Sequence, residues 1–194
     1  MQLNIKKIKK IIIIVLFLFV SHANAQNIVP VEKSVDYVSA GNGIPVGTYL
    51  KDVNNLFTPY LGTWKGTIGN KTYTLFISKI TESSNGRIVD KLIIYHVVFD
   101  NNLGVVEDTR TGKGRPHMTG WFFSSNLASY SLHYVGENSK CGRSGQVIIK
   151  KIDAGTMSMI LSPRAEVFDP KSCPGGQITE QILPTETPVT LIKL

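Results

Sequence analysis

The chain has 194 residues, a formal charge of +7 and 42% hydrophobic residues, a length that suits one domain with a proper core. Four of its 21 basic residues fall in the first 25 positions, so the remaining 169 residues carry a formal charge of only +3. That balance, with Lys113/Arg115 and Lys150/Lys151 as the only basic clusters, excludes a basic stripe for nucleic acid.

Residues 1–25 have the three parts of a cleavable export signal. Lys6, Lys7, Lys9 and Lys10 are basic, Ile11 to Val20 is an unbroken apolar run, and Ala23-Asn24-Ala25 supplies the small residues that signal peptidase needs. The apolar run has ten residues, short of the roughly 20 that a membrane-spanning helix requires, so no transmembrane anchor is expected in the mature form. No cysteine stands near the cut, which argues against a lipid anchor. The predicted destination is the periplasm, the cell surface or the medium.

Residues 26–50 read as a loosely structured lead-in, because Ser39 to Pro45 is rich in turn formers. Asp52 to Tyr60 is the one helical candidate, with Asp52 as cap and Pro59 near the end. From residue 51 to 194 the pattern predicts a single all-β domain. Thr63–Ile68 and Thr72–Ile80 flank the hairpin signal Gly69-Asn70, and Ser83 to Gly86 is a second turn before Ile88–Phe99. Gly104–Thr109, Met118–Phe123, Ser129–Val135, Gly145–Ile152, Thr156–Leu161, Ile178–Leu183 and Val189–Leu194 follow. About nine strands in hairpin order predict an antiparallel up-and-down meander, which closes into a barrel of about 8–10 strands to remove exposed edges; a two-sheet sandwich is the alternative.

Cys141 and Cys173 are the only cysteines. Their separation fits neither C-x-x-C nor a zinc knuckle, so they predict a structural disulfide, stabilising by about 3 kcal/mol in the chain-entropy model.

Side chains alternate along a strand, which sorts residues by face. Tyr73, Leu75 and Ile77 share one face, as do Trp121 and Phe123, Tyr130, Leu132 and Tyr134, and Met157, Met159 and Leu161. These residues read either as an ordinary packed core or as the lining of a cavity for a small apolar or amphipathic molecule, with the phenolic hydroxyls orienting it.

Phe57 to Gly66 (FTPYLGTWKG) resembles the opening of lipocalin-like (calycin) barrels, in which a short helical turn leads into a first strand bearing G-x-W, here Gly62-Thr63-Trp64. The resemblance implies that Trp64 plugs one barrel end, that Gly62 permits a close backbone approach, and that a late basic residue stacks on the indole, with Arg164 and Lys193 as candidates. In general look the chain is also similar to exported Bacteroidota proteins described only as domains of unknown function, a likeness that implies no activity.

Chemical signatures are sparse. His96 shares a face with Leu92, Ile94 and Val98, and reads as a satisfied core residue. His133 lies on a Ser-rich side, and His117 lies in the basic loop 110–117. No two histidines have metal-ligand spacing, Gly142 to Gly145 lacks the nucleophile elbow, and Gly112-Lys113-Gly114 lacks phosphate-loop spacing, so neither metal nor cofactor is expected. Glu107/Asp108 and Asp90/Asp100 are the carboxylate pairs that glycoside chemistry would need. The leading expectation is an exported small-molecule-binding protein. Behind it stand an envelope-associated interaction module with a filled barrel, binding through loops 110–117 and Pro163–Gly176, and a hydrolase using His96 or His117.

Overall fold

The structure, a computed structural model, describes residues 27–110, 118–136, 139–164, 170–177 and 179–194. The expected export signal and loop residues Lys113, Arg115 and His117 lie outside these.

Eight antiparallel strands close into a barrel. In order around the wall they are β3 (Gly62–Ile68), β4 (Lys71–Ser84), β5 (Arg87–Asp100), β7 (Met118–Phe123), β8 (Ser129–Val135), β9 (Ser144–Lys151), β10 (Thr156–Pro163) and β11 (Val189–Lys193), which returns to β3. The meander and the closed wall are as the sequence predicts. Tight hairpins set its register. Gly69 takes φ +59 between β3 and β4, and Asn85 and Gly86 take φ +51 and +70 between β4 and β5, the pair of positive angles a type I′ turn demands.

Strand β5 organises the wall. One edge pairs with β4 along its whole length. The other edge is divided among three strands: β2 (Thr48–Lys51) at Ile88–Val89, β7 at Ile93–Ile94, and β6 (Gly104–Asp108) at Val97–Asp100. Strand β1 (Asn27–Pro30) extends the sheet beyond β2.

Two expectations need correction in the N-terminal part. The segment 26–50 is not a loose lead-in, for it holds β1, β2 and the helix α1 (Ser34–Ala40). The helix expected at Asp52–Tyr60 is absent; only Thr58–Tyr60 forms a 3-10 turn. Asn55 adopts φ +54, a left-handed conformation through which an α-helix cannot propagate. The Asp52 carboxylate does accept the Leu56 and Phe57 N–H groups, at 2.7 and 3.4 Å, but these bonds shape an irregular turn. The turn delivers Phe57 and Tyr60 to one end of the barrel, where Phe57 stacks on Phe123 at 5.3 Å and meets Tyr130 edge-on at 5.2 Å. Trp64, fully buried, donates its indole N–H to the Tyr60 carbonyl at 2.8 Å. Of the two candidate basic partners, Lys193 takes the place, with Nζ 5.4 Å from the indole centroid. Gly62 sits at φ +115 beside the Lys193 stem.

Asp90 fastens the N-terminal extension to the wall. Its carboxylate accepts hydrogen bonds from Tyr49 Oη (3.0 Å), Thr81 Oγ1 (2.7 Å) and the Asp52 N–H (3.0 Å). Burial pushes its pKa up, but the three hydrogen bonds and the Lys79 charge outweigh burial and hold it below the ordinary 3.8.

In β7 a register shift between Gly120 and Phe122 opposes Gly120 to Leu132 and Phe122 to Ser131. A Cβ on Gly120 would lie 2.9 Å from the Leu92 carbonyl oxygen and against the Tyr130 hydroxyl. Gly120→Ala is therefore expected to destabilise the protein by about 3 kcal/mol through overpacking, read from urea midpoints at unchanged m-value. Because the Asp90 pKa is depressed, its stabilising contribution is present above 3.8 and is lost as pH falls below that value. Asp90→Asn should be less stable than the parent at pH 7, and the gap should narrow on acidification below pH 3.8 in parallel urea titrations.

Candidate functional site

The inward-facing residues pack densely. Tyr73, Leu75, Ile77, Phe123, Tyr130, Leu132, Tyr134, Met157 and Met159 are all 0–3% exposed, and with Trp64 they belong to one hydrophobic core. These side chains pack against one another and leave little of their surface open. An eight-stranded barrel is just wide enough for its side chains to fill.

Trp121 is the exception among the expected lining residues, and its placement beside Phe123 is corrected. The β7 bulge turns it outward. Its ring lies 4.1 Å from that of His133 and 4.6 Å from that of Phe122, and Arg164 sits 5.8 Å from its centroid. Alternation assumes an unbroken strand; the bulge breaks it and exchanges the faces. Burial lowers the His133 pKa below its ordinary 6.5, and the charges of Arg164 and Lys91 push the same way, so the imidazole is neutral at pH 7.

His96 is fully buried, as its apolar face predicts. Its Nε2 lies 2.5 Å from Glu107 Oε2. Tyr134 Oη donates to the same carboxylate at 3.3–3.4 Å, and Thr109 Oγ1 accepts the His96 backbone N–H at 2.7 Å. These contacts join β5, β6 and β8 where β6 leaves the wall and β7 enters it. The two carboxylate pairs do not form. Glu107 points inward to His96, while Asp108 points outward to Arg110 at 2.7 Å. Asp90 and Asp100 stand at opposite ends of β5, roughly 30 Å apart at 3.3 Å per residue, far beyond the spacing of a glycosidase pair. Asp100 instead accepts the Asn102 N–H (2.8 Å) in the β5–β6 turn and the Asn70 side chain (2.8 Å).

Two clefts lie at the barrel end opposite Trp64. Of the strand expected at Ile178–Leu183, Ile178 lies outside the described residues, and residues 179–188 form no strand. They cross the mouth as a plug and bury Ile182 and Leu183 in the core. The Ile182 carbonyl accepts Tyr73 Oη at 3.2 Å, and the Pro184 carbonyl accepts the Leu161 N–H at 2.7 Å. Burial, assisted by the Asp100 charge, raises the Tyr73 pKa to about 12, so this hydroxyl remains a donor. The Cys141–Cys173 disulfide, formed as predicted, ties down the neighbouring loops, and the Cys141 carbonyl accepts the Thr179 N–H at 2.9 Å.

Two clefts flank the plug. One, about 280 Å³, is lined by Leu103, Val106 and Ile182 together with Lys71, Arg143 and the carboxylates Asp100 and Glu180. The other, about 240 Å³, runs along Ile68, Tyr73 and residues 181–187. Lys71, Gln181 and Ile182 border both. Lys71 pairs with Glu180 at 3.5 Å, while Arg143 donates Nε to the Glu180 carbonyl at 2.9 Å. Sequence reasoning missed Lys71, Arg143 and Gln181, because their meeting depends on a loop that carries no motif. Among the described residues no group of three His, Cys, Asp or Glu side chains is placed to hold a metal ion.

Truncation of Glu107 would remove a buried hydrogen-bond partner from both His96 and Tyr134. Glu107→Ala is expected to cost about 4 kcal/mol of unfolding free energy, and Tyr134→Phe about 1 kcal/mol, both measured by chemical denaturation at pH 7.

No curated protein and no solved structure matches the chain. A protein-family model described as a family of unknown function, DUF6705, matches residues 5–141, which is more than half of the chain and spans the wall from β1 to β8. The chain belongs to this family of unknown function, DUF6705.

Proposed function

We propose that the protein is an exported, lipocalin-like binding protein that holds a small amphipathic acid at its plugged mouth rather than inside the barrel. The observation that carries this reading is the 280 Å³ cleft, which places Leu103, Val106 and Ile182 beside the cations Lys71 and Arg143, while its Asp100 carboxylate is already taken up by Asn70 and by the Asn102 and Leu103 N–H groups. Ligand sites combine an apolar lining with a few polar groups that orient the bound molecule. Export is supported by the basic, apolar and small-residue pattern of residues 1–25. The Cys141–Cys173 disulfide adds to it, since such bonds persist in oxidising compartments.

An acid suits the cleft because Lys71 gives up little to accept one. Its partner Glu180 has a side chain 88% exposed, and a pair so open to water contributes almost nothing. A ligand carboxylate can replace Glu180 beside Lys71 and Arg143 while its apolar part covers Leu103 and Val106. Each cleft falls just below the usual 300 Å³ floor for ligand pockets, which selects a short molecule.

The test is thermal unfolding of the mature protein with hexanoate, hexylamine or hexanol. Hexanoate at tenfold excess over its dissociation constant should raise Tm by about 4 °C. The other two compounds should not, and Arg143→Gln should remove most of the shift. An equal response to hexylamine, or a shift unchanged in Arg143→Gln, would overturn the reading.

A further inference from the structure

Strand β6 uses one edge. It pairs with β5 and, among the described residues, with no other strand. A strand bonded on one side turns alternate N–H and C=O groups away from its neighbour, where a further strand can take them. The 280 Å³ cleft adjoins this hairpin, for Leu103 of the β5–β6 turn and Val106 of β6 both line it. Glu180, Gln181 and Ile182 supply another part of the lining, and they form no strand. The cleft is thus bordered by a strand with an open edge and by a segment that no ladder holds. Gln181 donates its amide to the Gly142 carbonyl at 2.7 Å, which fixes the orientation of that amide. Its Oε1 is then a buried acceptor without a hydrogen-bond partner among the described residues. Such a group bears the cost of its desolvation uncompensated. Lys71 pairs with a Glu180 carboxylate that is open to water, and Arg143 donates to a carbonyl rather than to a carboxylate.

We infer that the mouth takes the carboxyl-terminal end of an extended peptide, an inference that rests on the reading of this cleft as an acid site and names the acid. The terminal carboxylate lies with Lys71 and Arg143, where it displaces Glu180. The last side chain, an apolar one, covers Leu103 and Val106. The last amide N–H reaches Gln181 Oε1 on a small shift of the plug, which recovers the cost that this oxygen bears. The residues before it run along the open edge of β6 and add a strand to the sheet. In this mode of recognition main-chain hydrogen bonds give affinity, and pockets for individual side chains give specificity. An alkanoic acid supplies the charge and the apolar tail, but it has no donor for Gln181 and nothing for the strand edge. Size agrees with this division. A cleft below the usual ligand-pocket floor holds one terminal residue, and the rest of the peptide lies on the strand outside it.

The experiment is calorimetric titration of the mature protein with hexanoate, N-acetyl-leucine, N-acetyl-N-methyl-leucine, and a tetrapeptide of three alanines and a final leucine, prepared as the free acid and as the amide. N-acetyl-leucine should bind about tenfold more tightly than hexanoate, and N-methylation should remove that gain. The tetrapeptide acid should bind about tenfold more tightly again, and its amide at least tenfold more weakly than the acid. Gln181→Met should bind hexanoate as the parent does and N-acetyl-leucine no better than hexanoate. That variant also loses the bond to Gly142, so the N-methylated ligand makes the same comparison in the unaltered protein. Hexanoate binding with no gain for N-acetyl-leucine, or with equal gain for its N-methyl form, would overturn this inference and leave the acid site standing. So would a tetrapeptide acid that binds no more tightly than N-acetyl-leucine. Binding by none of the acids would overturn both.

Discussion

The fold depends on how one strand shares its edge. Strand β5 has 14 residues, and β4 occupies one edge throughout. The opposite edge must close the barrel, yet β7 pairs with it at only two positions, Ile93 and Ile94. On either side of that short seam β2 pairs at Ile88–Val89 and β6 at Val97–Asp100. The seam is reinforced from within, because Glu107 on β6 reaches His96 on β5 and is met by Tyr134 from β8. A buried charged group is tolerable only where hydrogen bonds replace water, and here the same contacts tie three strands together. The buried histidine thus serves closure, and the external fastening through Asp90 serves the adjoining part of the same edge.

A core of tightly buried side chains directs attention to the surfaces that remain. The core aromatic residues are committed to one another and to the Phe57–Phe123–Tyr130 cluster at the Trp64 end. The opposite end is irregular, polar and disulfide-tethered, and its clefts are walled by a segment without secondary structure. A rigid wall with an irregular mouth is the usual division between scaffold and recognition in β-barrels.

Much of this was legible in the residues. Alternation in β4, β8 and β10 located Tyr73, Tyr130, Tyr134, Met157 and Met159 in the interior, because those strands are regular and period-two sorting holds. The cysteine pair and the hairpin at Gly69 were equally readable, each resting on local chemistry. Three features were not. Trp121 faces outward because of a bulge, which leaves no pattern in an apolar run. Asp52 to Tyr60 carries helix signals, but Asn55 turns left-handed to bring Phe57 and Tyr60 onto the barrel end. Residues 179–183 look like a strand because Ile182 and Leu183 are apolar, yet they are buried as a stopper rather than as a wall. In each case tertiary packing overrode a local preference.

The pairing of β11 with both β10 and β3 has a kinetic corollary. The first and last strands of the wall are neighbours, so Trp64 meets Lys193 across nearly the whole length of the domain. Such a wall gains its final ladder only after the last strand has been delivered, and contacts of high sequence separation form slowly. A chain that emerges from its N-terminus would therefore remain an open, edge-exposed sheet until β11 arrives, which makes the arrival of that strand the step that completes the tertiary structure.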